Sequence, residues 1–187
     1  MRLFTAIEIP ETWRAAAARY QAELDSRFKV DLRFVQREQL HVTVRFLGEV
    51  AADRVDHLTQ AVEAVSPLAV ELALAPPGTF GSPSRTGVVW LGIRIDDGPA
   101  SELLAAVDAA INGAGLIASD QPWRPHLTLA RVRRQVGSTH RRAIAQAVSD
   151  LAPPEPNPML ARTVALYQSD LGNRAPHHKL LARSAVS

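Results

Sequence analysis

Two segments of this chain are near copies of one another, one in each half: His41-Val42-Thr43-Val44 and His126-Leu127-Thr128-Leu129. Each alternates polar with apolar residues, which is the pattern of a strand with one buried face. Such a strand hides Val42, Val44, Leu127 and Leu129 on one side and presents His41, Thr43, His126 and Thr128 on the other. Two strands of one design need two comparable sheet settings, and the fold has to supply both.

The flanking sequence supplies elements for them. Residues 2–9 read as a strand stopped at Pro10, after which Trp13, Ala17, Tyr20 and Leu24 recur at helical spacing. Short strands are expected at 34–36 and 40–47, then a helix carrying Val55, Leu58, Val62 and Val65. Strands at 68–74 and 86–95 are expected on either side of a turn made by Pro76-Pro77-Gly78-Thr79-Phe80-Gly81-Ser82-Pro83-Ser84. Asp96-Asp97-Gly98-Pro99 reads as a break, Ser101 as the cap of a third helix through Ile111, and His126–Arg133 as a strand. A fourth helix carries Ile144, Val148 and Leu151, and strands at 163–169 and 178–186 finish the chain. Strands outnumber helices and come partly in pairs without crossover helices, so the expected class is α+β with antiparallel or mixed sheets. At 187 residues the chain suits a single domain, 1–187, or two small fused lobes.

Composition removes several chemistries. There is no cysteine, so disulfides, thiolate metal sites and cysteine nucleophiles are excluded and a reducing compartment is expected. Residues 1–10 lack the apolar run of a secretion signal, and no stretch reaches the ~20 apolar residues of a membrane span, which together point to a cytoplasmic protein with no membrane partner. Of 21 basic residues only Lys29 and Lys179 are lysines. Arginine suits phosphate recognition, although a GC-rich coding sequence gives the same bias.

An imidazole titrates near neutrality, so of two imidazoles one can take a proton while the other gives one. Facing each other across a cleft, they could serve an in-line displacement at phosphorus without metal or cofactor, with Thr43 and Thr128 donating to the non-bridging oxygens. One His-x-Thr copy is more often an ordinary strand histidine with a β-branched neighbour. Two copies, each after a polar or turn-prone segment, favour the chemical reading.

The chain resembles the two-histidine (2H) phosphoesterases, and within them the LigT-like RNA 2′,3′-cyclic phosphodiesterases. The matching pieces are Arg2-Leu3-Phe4-Thr5-Ala6-Ile7 with Pro10, His41 through Glu49, Val89-Trp90-Leu91-Gly92, Pro125 through Arg131, and Leu166-Tyr167-Gln168-Ser169 with Leu171. The resemblance implies a bilobal α+β fold: two pseudo-symmetric lobes, each with an antiparallel sheet, flanking helices and one motif, around a central cleft. It implies hydrolysis of RNA 2′,3′-cyclic phosphate ends to 2′-phosphates, with His41 as proton donor to the departing 3′ oxygen and His126 as proton acceptor from water. Joining of RNA ends through a 2′-5′ bond is the alternative activity, and a non-catalytic nucleotide-binding or RNA-binding module is the alternative outside catalysis.

Parity puts Arg45 on the face of His41 and Thr43, and so into the cleft, and puts Arg131 on the opposite face. The resemblance has an arginine in the motif at Arg131, which a bulge or strand end could turn toward phosphate, so both are candidate substrate-binding residues. At the C-terminus, Gly172-Asn173-Arg174-Ala175-Pro176-His177-His178 departs from the family's Gly-Tyr pattern. His177 and His178 are expected at the surface or in a turn, His57 and His140 on solvated helix faces, and Phe4, Phe46 and Trp90 in the core. The expected partner is RNA with a 2′,3′-cyclic phosphate end or a related cyclic nucleotide. A cleft within one chain needs no second copy, so a monomer is expected.

Overall fold

Leu3–Ile7 are five consecutive buried residues, and they form the middle of the first strand (β1, Arg2–Glu8). Pro10, which has no N–H to give a ladder, ends the strand and precedes α1 (Glu11–Phe28), whose Trp13, Ala17, Tyr20 and Leu24 are buried at helical spacing. The computed structural model describes residues 1–66, 69–170 and 177–184. The remaining strands are β2 (Leu32–Phe34), β3 (His41–Glu49), β4 (Val70–Phe80), β5 (Val88–Arg94), β6 (His126–Val132), β7 (Met159–Ala161), β8 (Ala165–Asp170) and β9 (His177–Arg183). The remaining helices are α2 (Ala52–Glu63), α3 (Asp97–Gly113) and α4 (Ser138–Ser149).

The strands form one antiparallel sheet in the order β7-β4-β5-β6-β3-β1-β8-β9, with β2 added along β6. It divides into two halves of matching design. Each half has its motif strand innermost, β3 or β6, paired with the strand that precedes a helix, β1 or β5. Apart from β2, which follows α1 and pairs with β6, the units β1-α1-β3-α2 and β5-α3-β6-α4 therefore repeat one plan, and the expected bilobal α+β architecture is what the chain adopts. The lobes do not have separate sheets: β3 and β6 join them through the single pair Val42–Leu127.

One sheet face is covered by helices, with α2 on β8 and β9, α4 on β4, and α1 against β6. The buried apolar residues of both lobes form a continuous cluster there, including Val42, Val44, Leu127 and Leu129. Among the described residues no helix is long and apolar enough to cross a membrane.

Several boundaries differ from the sequence expectation. Pro76-Pro77-Gly78-Thr79-Phe80 is the second half of β4 and no turn, because the ladder to β5 slips between Ala75 and Pro77 and accommodates residues without an N–H. Gly78 is required there, since a Cβ would lie 2.3 Å from the Trp90 ring. Asp97-Gly98-Pro99 is the first turn of α3, where a missing N–H costs nothing. The start of one expected strand at Leu68, the end of another beyond Ser184, Leu171 of the matching pieces and Gly172–Pro176 of the C-terminal departure lie outside the described residues.

Candidate active site

The pair Val42–Leu127 sets the geometry of the site. Continuing that antiparallel register one residue each way sets His41 across from Thr128 and Thr43 across from His126. All four line a cleft of about 580 Å³ on the open face of the sheet. Phe4, Phe34, Phe46, Phe80, Arg33, Arg131 and His178 line it as well.

Each motif strand is bulged at the same point. β1 pairs Ala6 with Thr43 and Thr5 with Arg45, leaving Val44 extra; β5 pairs Trp90 with Thr128 and Val89 with Ala130, leaving Leu129 extra. Burial follows suit: Val44 and Arg45 are consecutive buried residues, as are Leu129 and Ala130, and Phe46 and Arg131 then emerge. A bulge reverses parity beyond it, which corrects the expectation for Arg45. Its side chain turns from the cleft and makes a bidentate ion pair with Asp108 of α3, Nε to Oδ1 at 2.8 Å and Nη2 to Oδ2 at 2.9 Å. Arg131 is carried into the cleft by the same device.

The two imidazoles are wired alike. His41 Nδ1 lies 2.7 Å from the Gln39 carbonyl, and His126 Nδ1 lies 2.7 Å from the Arg124 carbonyl, each two residues upstream. A carbonyl only accepts, so Nδ1 carries the proton in both rings and Nε2 bears the lone pair when the ring is neutral. Thr43 Oγ1 is 3.1 Å from His41 Nε2 and can donate to it. Burial pushes His41 down to about 4, with the charges of His178, His126 and Arg131 adding to the effect against the Gln39 hydrogen bond. Burial also lowers His126, opposed by its hydrogen bond to Arg124 and aided by Arg131.

The aromatic surroundings differ in part from the sequence expectation. Phe4 is buried, yet its ring stacks on His41 at 4.8 Å and on Tyr167 at 5.5 Å. Phe46, expected in the core, is 67% exposed in the cleft. Phe80, read as part of a turn, meets the edge of His126 at 4.8 Å, while Trp90 packs beside it. His177 is exposed, as expected, but His178 is half-buried and lines the cleft, edge-on to His41 at 5.2 Å. His57 is exposed, and His140 pairs with Asp31 at 3.1 Å. Arg33 and Phe34 carried no motif, and no local signal could have assigned them.

The family model of the 2′-5′ RNA ligase superfamily matches residues 9–173. An RNA 2′,3′-cyclic phosphodiesterase of Methanocaldococcus jannaschii is 25% identical over 181 residues, 97% of this chain and 98% of that protein. The protein of that name in Escherichia coli K12 is 30% identical over 131 residues, 70% of this chain and 71% of that one. A crystal structure of E. coli LigT complexed with 3′-AMP superposes with a TM-score of 0.75 at 26% identity, covering 100% of this chain and 98% of that chain. With its duplicated motifs on one bulged sheet and a match spanning nearly its whole length, the chain belongs to the 2′-5′ RNA ligase superfamily.

Proposed function

We propose that this chain hydrolyses RNA 2′,3′-cyclic phosphate ends to 2′-phosphates, with His126 as proton acceptor and His41 as proton donor. One observation carries the reading: two imidazoles from opposite lobes share a cleft, each with Nδ1–H held by an upstream carbonyl and Nε2 directed away from that anchor. His126 Nε2 takes a proton from water as the water oxygen bonds to phosphorus. The bond from phosphorus to O3′ breaks, and His41 Nε2–H gives its proton to O3′, leaving a 3′-hydroxyl and a 2′-phosphate. Thr43 and Thr128 donate hydrogen bonds to the non-bridging oxygens, and Arg131 offsets their charge.

His41 must be protonated to act as a donor, although burial holds its pKa down at about 4. The arriving phosphodiester is an anion, and an anion beside an imidazole favours the charged form. Substrate binding thus charges the acid. The whole chain, 1–187, acts as one bilobal domain and as a monomer, with RNA as partner in the cytoplasm.

The test is incubation with a short RNA bearing a 2′,3′-cyclic phosphate, in EDTA, with the product phosphate located by phosphorus NMR. A 2′-phosphate is expected; an unchanged cyclic phosphate, or a 3′-phosphate product, would overturn the assignment. The family model's description as an RNA ligase favours a second outcome, a 2′-5′ joined product, when a 5′-hydroxyl strand takes the place of water.

A further inference from the structure

Arg33 on β2 stands directly across the ladder from Arg131 on β6, and both line the cleft. Like charges opposite one another on neighbouring strands weaken a sheet. Among the described residues neither has a carboxylate partner, and no Asp or Glu lines the cleft. The third cleft arginine, Arg2, differs in facing Glu49 at 4.0 Å. Two arginines set opposite one another on paired strands, both lining the cleft and without a counter-charge, form a ready anion site.

The two arginines are not equivalent. Arg131 is near enough to both motif imidazoles to lower their pKa values, whereas Arg33 acts on Arg131. Arg131 is the next cleft-facing residue after Thr128, roughly 7–10 Å along β6, and Arg33 lies across the ladder about 5 Å beyond it. That separation is on the scale of one nucleotide step. Phe34, Val88 and the exposed Phe46 ring line the same cleft and offer apolar surface to a base.

We propose that Arg33 binds the phosphate on the 5′ side of the terminal nucleotide, so that the cleft selects an RNA end over a bare nucleoside 2′,3′-cyclic phosphate. This rests on the hydrolase reading above and specifies its substrate. Arg131 serves the reacting phosphate, and Arg33 serves the next one along the strand.

The experiment compares kcat/KM for adenosine 2′,3′-cyclic phosphate with and without a 5′-phosphate, which isolates the phosphate from any second base. The parent protein should prefer the 5′-phosphorylated substrate by about 10- to 100-fold, the range of a charge-assisted hydrogen bond. Arg33→Gln should bring that preference close to unity, and Arg33→Lys should keep part of it. The preference should weaken with salt, with a logarithmic slope of about 0.7 for the added contact. Removing a charge that faces Arg131 should not lower the Tm of Arg33→Gln, which a structural role for Arg33 would require. Equal kcat/KM for the two substrates, or a preference that survives Arg33→Gln, would overturn the proposal. Turnover of neither would overturn the hydrolase reading. Calorimetry with adenosine 2′,5′-bisphosphate against adenosine 2′-phosphate then reads the subsite independently, and equal Kd values would overturn it.

Discussion

In the first lobe His41 stacks on Phe4, with Tyr167 close to both rings and His178 set edge-on, whereas in the second lobe His126 and Phe80 meet edge to face beside Trp90. The backbone device is the same in both: a motif strand, a carbonyl two residues upstream on Nδ1, and a bulge after the threonine. What differs is everything packed around it. Beyond the bulge the first lobe has Arg45 turned inward to Asp108 and Phe46 in the cleft, while the second has the small, buried Ala130 and Arg131 in the cleft. Duplication supplies two equivalent imidazoles, and the side chains of each lobe then make them unequal. The deeper one, His41, is pushed to about 4 and so depends most on a bound anion for its proton.

The comparison breaks most directly at the histidines. If both lobes do chemistry, His41→Ala and His126→Ala should each lower kcat by about 10²- to 10⁴-fold in steady-state assays on a cyclic-phosphate RNA. A loss confined to one of them would show that only one lobe has kept its part. The next effect is on stability. Asp108→Ala leaves the buried Arg45 guanidinium unpaired and should cost about 1.5–3 kcal/mol in urea unfolding. Replacing both partners by apolar residues, as in Arg45→Met with Asp108→Leu, should recover much of that loss, since the second lobe manages with Ala130 at the corresponding position.

The smallest effect sharpens the electrostatic contrast. A histidine depressed in the folded state is neutral there and binds a proton more readily when unfolded, so stability is lost as pH falls below about 6.5, the ordinary imidazole value. For His41 this loss runs from about 6.5 down to about 4. Glu8, held below its ordinary value by Arg183 and Tyr167, contributes stability that is lost only at lower pH. Between pH 7 and 5, His41→Gln should therefore show a flatter Tm profile than the parent, and His126→Gln an intermediate one. Identical slopes for all three would mean that the lobes do not differ electrically.

Much of the site was legible because it is local. His41, Thr43, His126 and Thr128 share a face through simple alternation, and four helices announced themselves through helical spacing of Trp13, Val55, Val107 and Ile144 with their neighbours. The arginines were not, because alternation holds only while the ladder is regular. The bulges at Val44 and Leu129 arise from pairing with β1 and β5, residues remote in sequence, and nothing within either motif marks them. For the same reason Pro76 and Pro77 read as a turn although a slipped ladder carries them inside β4. Neither His178 nor Phe80 could be assigned to the cleft before the strands bearing them had neighbours.

By itself the sequence determined that two amphipathic strands would each show an imidazole and a hydroxyl on one face, because side-chain alternation is a property of a single strand. Only the tertiary structure decided that these strands meet at Val42 and Leu127, that Arg131 and Phe46 face the cleft while Arg45 does not, and that His41 is the more buried of the pair. Register, bulges and burial are set by cross-strand partners, and those partners are chosen by the packing of the whole chain.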